Sequence, residues 1–365
     1  MLCIVFNTDL FSFVYYCKPI MKQNINIIPS IFTFSSIKNI IIARISQIRH
    51  FQKFIGIWKR YRKNDEFPIL FQLQTINRCN ANCPMCPYGT TTANEAFKIM
   101  EDKVFKKIIN EISKRKEVEL IVMSFQNEPL ADKKLIERAK YIKSIAPHIN
   151  LELVSNGFLL TPEIAHDIYN IFDEVELSIH AVTSKTHKEV LGGLDFKKTM
   201  KNIFYIGEST KMKSKTVLRF VKQRANEHEY SHFKKFWRRN GFAVLGFDLN
   251  SRLNAVKDYD KMKYREKWFQ LLEIKFLKII SPLFFPHCPI PNSAMYIRSN
   301  GDVVFCFSDW TEDNILGNIN NESIYNVFHS SKMKQLRERI NSNSAYENDI
   351  CKKCDLYNEG VYLTF

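Results

Sequence analysis

The chain has 365 residues, 45% of them apolar with 29 phenylalanines, and a formal net charge of +15. That length suits one large domain plus a smaller one, and the apolar content supplies a sizeable core, which excludes a disordered chain. Ten Lys/Arg in residues 1–66 stand against Asp9, Asp65 and Glu66, so the remaining 299 residues carry only +8, a mild excess that argues against nucleic acid as the main partner.

The first 20 residues are apolar and aromatic, but Asp9 interrupts them, and they lack a basic leader and a small-residue cleavage site. They read as an extension, or as text upstream of a start at Met21. Residues 30–63 mix Ile and Phe with Lys38, Arg44, Arg49, Lys53, Lys59, Arg60, Arg62 and Lys63 and hold no acid. One or two basic amphipathic helices are expected there, packed on the catalytic domain or a partner, or lying on an anionic membrane surface.

From residue 67 the chain alternates. Strands are expected at 69–76, 118–125, 149–155, 174–181, 216–223 and 243–250. Helical text lies between them. Met100, Val104, Ile108 and Ile112 form one apolar stripe, and Leu130, Leu135, Ala139 and Ile142 another. Thr161-Pro162-Glu163 reads as a helix start with an oxygen acceptor at its cap. Two more helices are expected at 195–207 and 229–241, the second ending at Gly241. Six such units predict a parallel α/β sheet, a partial (β/α)6 TIM-like barrel open on one side, with reactive groups at the carboxyl ends of the strands. Residues 258–280 read as a linker helix. Beyond them Asn300-Gly301 joins two β runs as a hairpin, a helix follows, and Cys351-Lys-Lys-Cys354 closes a small α+β unit.

The nine cysteines are clustered, which favours metal over disulfides and implies a reducing, cytoplasmic setting. Cys79, Cys83 and Cys86 directly follow the first expected strand, with three and then two residues between them. A structural zinc site closes with four ligands, as does a cluster that only carries electrons. Three thiolates on one loop leave one iron open to a substrate. Cys288, Cys306, Cys351 and Cys354 make a second, closed set, suited to a four-iron cluster or to zinc.

The Cys79-x3-Cys83-x2-Cys86 loop after a first strand resembles the signature of the radical S-adenosylmethionine (SAM) superfamily. The resemblance implies a 4Fe-4S cluster on those cysteines, SAM chelated at the open iron, and a 5′-deoxyadenosyl radical that abstracts a substrate hydrogen. Gln126, Asn127, Glu128 and Pro129 resemble the family's Gly-Gly-Glu-Pro turn, with both glycines replaced. Ser155 and Asn156, at the end of the third strand, stand where the family makes a polar contact to SAM. Ser178 and His180 are expected to share one face of the fourth strand, towards the ribose or substrate. Arg219 and Arg252 are candidates for the SAM carboxylate, since a guanidinium fork suits it, or else are bracing ion pairs. Met85 stands where the family often has an aromatic residue and could lie against adenine.

The layout of Cys288, Cys306, Cys351 and Cys354 resembles the auxiliary-cluster module of the same superfamily, the SPASM domain, in its shortened twitch form, because no further cysteine follows Cys354. Expected domains are therefore a basic extension at 1–66, the radical SAM core at 67–257, a linker helix at 258–285, and a SPASM/twitch-like domain at 286–365. The implied function is a radical SAM oxidoreductase whose auxiliary cluster accepts an electron. The implied substrate is a small molecule or saccharide, with modification of a ribosomally made peptide as the alternative, and the implied electron donor is a flavodoxin or ferredoxin. RNA modification and non-catalytic metal binding are the remaining classes. Cys3 and Cys17 lie outside both sets, so no cysteine of the core is left to return a hydrogen atom to substrate.

Overall fold

The computed structural model describes residues 14–15, 32–33, 39–50, 66–264, 288–311, 314–342 and 349–355. Two short antiparallel strands, Val14–Tyr15 and Phe32–Thr33, precede helix α1 at 39–50. The main sheet then opens with six parallel strands in chain order: β1 Leu70–Leu73, β2 Leu120–Val122, β3 Asn150–Ser155, β4 Glu174–Ser178, β5 Thr216–Lys222 and β6 Ala243–Asp248. Each lies inside a stretch that reads as a strand in the sequence. The sheet curves without closing, as a partial barrel.

Between strands run α2 Asp102–Ile112, α3 Leu135–Ile145, α4 Pro162–Ile171, α5 Ser184–Val190, α6 Phe196–Glu208, α7 Thr210–Lys215 and α8 Tyr230–Arg239. The helices cover the outer face of the sheet because their apolar stripes match its alternate residues. Val104, Ile108 and Ile112 of α2, Ala139 and Ile142 of α3, and Ile168 of α4 are buried in one core with Phe71, Leu73, Leu151, Leu153, Val175 and Leu177. The inner face carries the intervening residues, among them Glu152, Glu174, Glu176, Ser178 and Arg219. Helices α5 and α7 are short, and their sequences lack a long apolar stripe to announce them.

Thr161 stands at the N-cap of α4 with extended backbone, but its side chain makes no cap bond there. It bonds instead to Glu163, whose carboxylate it holds below the usual range. At the other end of α8, Gly241 (φ 90°) takes the left-handed turn expected of it.

The C-terminal strands join this same sheet. β7 Ala294–Ile297 pairs parallel with β1, Phe71 opposite Met295. β8 Asp302–Val304 returns antiparallel to β7 through Gly301 (φ 90°), and β9 Ile315–Asn318 pairs antiparallel with β8. The strand order is β9-β8-β7-β1-β2-β3-β4-β5-β6. Cys306 lies two residues past β8, and a third strand, β9, extends the expected hairpin. Most of the stretch expected as a linker helix lies outside the described residues; within them only Tyr259–Met262 is helical.

Candidate active site

The three-cysteine loop leaves the carboxyl end of β1 and is held from several sides. Cys86 N donates to Cys83 O at 2.9 Å, closing the turn between them. Cys79 N donates to the Tyr88 hydroxyl at 3.0 Å. Asn156 Nδ2, past the end of β3, donates to Asn80 Oδ1 at 2.7 Å. Ala81, Cys79, Cys83 and Met85 pack against Val190, Leu191 and Leu194 from the α5 side. There the chain must approach closely: Gly192 (φ 63°) would set a side-chain carbon 2.1 Å from the Asn82 carbonyl oxygen.

Burial dominates the thiols. It pushes Cys79 up to about 12 and Cys83 well above its ordinary value, and each is raised further by its neighbouring cysteines. Three clustered soft donors that resist ionising by themselves are chemically matched to a cation that would hold them as thiolates. The second set behaves alike. Burial raises Cys288, Cys306 and Cys351, and Cys354 adds to the rise in all three, so the four residues sit within electrostatic reach of one another.

Beside the loop, the Gln126–Pro129 turn begins the crossover that follows β2. Glu128 is buried and accepts three hydrogen bonds: Leu130 N at 3.1 Å and Ser155 Oγ at 2.8 Å on Oε1, and Asn156 N at 2.9 Å on Oε2. Burial nevertheless pushes it up to about 7. Asn127 Oδ1 accepts from Phe125 N at 2.8 Å. Gln126 adopts the left-handed region (φ 56°) that glycine ordinarily occupies, and its Nε2 reaches the Asp309 carbonyl at 2.8 Å.

The remaining candidates separate. Ser178 ends β4, half-buried, in register with Arg219 on β5. His180 does not continue the alternation. The strand has stopped, the residue is left-handed (φ 57°), and its Nδ1 accepts from Val221 N at 3.0 Å. Burial, then the Arg219 charge, lowers it to about 3, so it is the neutral tautomer with the proton on Nε2. Arg219 is paired with Glu176 at 2.7 Å and lies 4.5 Å from the Phe247 ring centre.

Arg252 (φ 51°) lies within electrostatic reach of both cysteine sets. Burial lowers its affinity for a proton, and Cys86 and Cys306, one from each set, only partly offset this. Its guanidinium lies 5.1 Å from the Phe307 ring centre. The adjacent Ser251 Oγ donates to Asp355 Oδ1 at 2.8 Å, tying the end of the Cys351–Cys354 loop to the segment after β6.

Several residues of this site escaped the sequence reading. Glu229, buried, accepts from Thr183 Oγ1 at 2.7 Å and Thr186 Oγ1 at 2.8 Å and holds the loop after β4. Gln223 Nε2 contacts Met85 Sδ at 3.0 Å, and Asn226 Nδ2 donates to the His180 carbonyl at 2.8 Å. All three act across more than 40 residues of sequence. Asp355 alone carried a local signal, its place beside Cys354.

Comparison with known proteins accords with this geometry. Residues 73–222 match the Radical SAM superfamily model, and residues 288–355 match the SPASM iron–sulfur cluster-binding domain. An S-adenosyl-L-methionine-dependent 2-deoxy-scyllo-inosamine dehydrogenase of Niallia circulans is 26% identical over 68 residues, 19% of this chain and 27% of that enzyme. The chain spans about a third or less of the length of the curated relatives it matches. Its fold resembles that of BtrN in complex with AdoMet and 2-DOIA: TM-score 0.56, 15% identity, 82% of this chain and 98% of that one. It also resembles Streptococcus suis SuiB bound to precursor peptide SuiA, with TM-score 0.60, 15% identity, 84% of this chain and 73% of that one. The cofactors are those of the two domains: a SAM-binding 4Fe-4S cluster, SAM, and an auxiliary iron–sulfur cluster. With its partial barrel and its two domain matches, the chain carries a radical SAM domain over residues 73–222 and a SPASM-type iron–sulfur domain over residues 288–355.

Proposed function

We propose that this protein is a radical SAM oxidoreductase acting on a small molecule or saccharide, with Cys79, Cys83 and Cys86 holding the SAM-binding cluster and Cys288, Cys306, Cys351 and Cys354 an auxiliary cluster that accepts an electron. The observation that carries this reading is the joining of the two cysteine-bearing parts: β1, which leads into the Cys79 loop, pairs with β7, Gln126 Nε2 donates to the Asp309 carbonyl near Cys306, and Ser251 Oγ donates to Asp355 beside Cys354.

The bound cluster and SAM together supply a 5′-deoxyadenosyl radical when reduced. The chain's own groups would then orient SAM. Glu128, poised near neutrality, becomes a stable carboxylate when an ammonium group lies against it. Ser155 and Asn156 hold that carboxylate in place. Arg252 is the guanidinium better suited to a SAM carboxylate, since Arg219 is engaged with Glu176. The neutral His180 offers Nε2–H as a donor.

The likeness to a cyclitol-amine dehydrogenase supports a small ring substrate. A second reading, modification of a ribosomally made peptide, is supported by the likeness to SuiB with its peptide. The physiological reductant would be a flavodoxin or ferredoxin, in the reducing cytoplasm that thiolate-held clusters require.

Anaerobically reconstituted protein should hold about eight irons per chain, two four-iron clusters. With dithionite and SAM it should release 5′-deoxyadenosine. About four irons would remove the auxiliary-cluster part. Deuterium carried into 5′-deoxyadenosine from a labelled aminocyclitol, and not from a peptide, would separate the two substrate readings.

A further inference from the structure

The amphipathic helix α1 is mounted inside out. The face it turns to the barrel is small and polar: Ala43, Ser46 and His50 are buried, while Ile40, Ile41, Ile45 and Ile48 are 46%, 50%, 50% and 55% exposed. Ile41, Ile45 and Ile48 are spaced four and three apart, so they form one stripe with Arg44 beside it. The inward face has its own fixings. Ser46 Oγ donates to the Ser214 carbonyl at 3.0 Å, Lys213 Nζ to Asn39 Oδ1 at 3.4 Å, and His50 Nδ1 pairs with Glu174 Oε1 at 2.8 Å. Ser214 precedes β5 and Glu174 opens β4, so α1 lies across the amino ends of the strands. The cysteine loop is at the opposite, carboxyl end.

Packing on the barrel therefore does not account for the isoleucines. We propose that the outward face of α1 docks on an anionic lipid bilayer. The charge of α1 and of the sequence flanking it selects that occupant. Between Asp9 and Asp65 the chain has no acid, and Lys38, Arg44, Arg49, Lys53, Lys59, Arg60, Arg62 and Lys63 all fall in that interval. A second copy of this chain would bring the same positive charge against itself. A bilayer with acidic headgroups offers the complement to the cations and an apolar layer beneath them for the isoleucines. Among the described residues no helix is long and apolar enough to cross a membrane, so α1 lies in the surface. Docked this way, the barrel turns its cysteine-bearing mouth away from the lipid, open to substrate and reductant.

The test uses the 365-residue chain, purified and reconstituted anaerobically, and vesicles of phosphatidylcholine alone or with about 30 mol% phosphatidylglycerol. Wild type should sediment with the anionic vesicles, weakly with neutral ones, and less as salt is raised. The triple variant Ile41→Gln, Ile45→Gln, Ile48→Gln should bind anionic vesicles about tenfold or more weakly at unchanged iron content and melting temperature. A second variant, Arg44→Gln with Arg49→Gln, should flatten the salt dependence. Equal sedimentation of wild type and the triple variant, or equal binding to both vesicle types, would overturn the proposal. So would a wild-type dimer that the triple variant dissociates, which would assign the face to a second copy. None of these readouts involves SAM cleavage, so they stand apart from the fate of the proposed reaction.

Discussion

Gln126 Nε2 donates to the Asp309 carbonyl at 2.8 Å, joining the turn after β2 to the loop that follows Cys306. Gln126 takes a left-handed backbone to do this (φ 56°), where the family's turn has glycine. The substitution gives up conformational ease for a tie between barrel and auxiliary module.

That trade can be measured. A left-handed backbone costs a residue with a side chain about 1 kcal/mol, and a hydrogen bond of this kind contributes about 1 kcal/mol. Gln126→Gly loses the bond and relieves the strain, so its stability should stay near wild type. Gln126→Ala loses the bond and keeps the strain, and should be less stable by about 1 kcal/mol. Denaturant midpoints of the two variants under anaerobic conditions check this; equal midpoints would show that the strain is absent.

Replacing Cys79, Cys83 and Cys86 together by Ala should abolish 5′-deoxyadenosine formation and remove about four irons per chain. Chromatography of the nucleoside products and iron analysis read the two effects. Continued 5′-deoxyadenosine release would reject the loop as the SAM-binding cluster's seat.

Replacing Cys351 and Cys354 by Ala should leave reductive SAM cleavage partly intact and stop substrate oxidation. If that variant turned over fully, the second cluster would be a structural staple and no electron acceptor. The Ser251–Asp355 bond makes a structural contribution expected as well, so melting temperature should fall with activity.

His50 couples α1 to pH. Burial alone would lower its proton affinity, but the bond to Glu174 and the charges of Glu176 and Glu152 outweigh burial and hold it above its ordinary 6.5. A raised histidine contributes its full stabilisation below that unfolded value and loses it as pH rises through the folded one. Stability should therefore decline from about pH 6.5 upward, and His50→Gln should flatten that slope at a cost of about 2 kcal/mol at acid pH. Denaturant unfolding across pH 5.5–9 measures it; an unchanged slope in the variant would put the dependence elsewhere. Arg219, paired with Glu176, leaves that acid only partly available to His50 and bounds the effect.

What could be read from the chain alone is what neighbours along the chain decide. Alternation marked all six parallel strands, the stripes of α2 and α3 marked their buried faces, and the spacing of Cys79, Cys83 and Cys86 marked a loop with one ligand short. Tertiary structure decided between residues that look equivalent in one dimension. Arg219 lies within β5 and Arg252 shortly after β6, yet Glu176 on the adjacent strand pairs with the first, while the second lies within electrostatic reach of both cysteine sets. His180 obeys the period of β4 on paper but turns left-handed where Val221 N takes its ring nitrogen. The isoleucines of α1 would be inward by periodicity, and the polar floor of the barrel, with Glu174 and Ser214 waiting for partners, took the other face. The reason is common to all three. Local pattern records which side chains can share a face, but which face is buried depends on groups brought near by chain closure over tens to hundreds of residues, and those groups are not adjacent in the text.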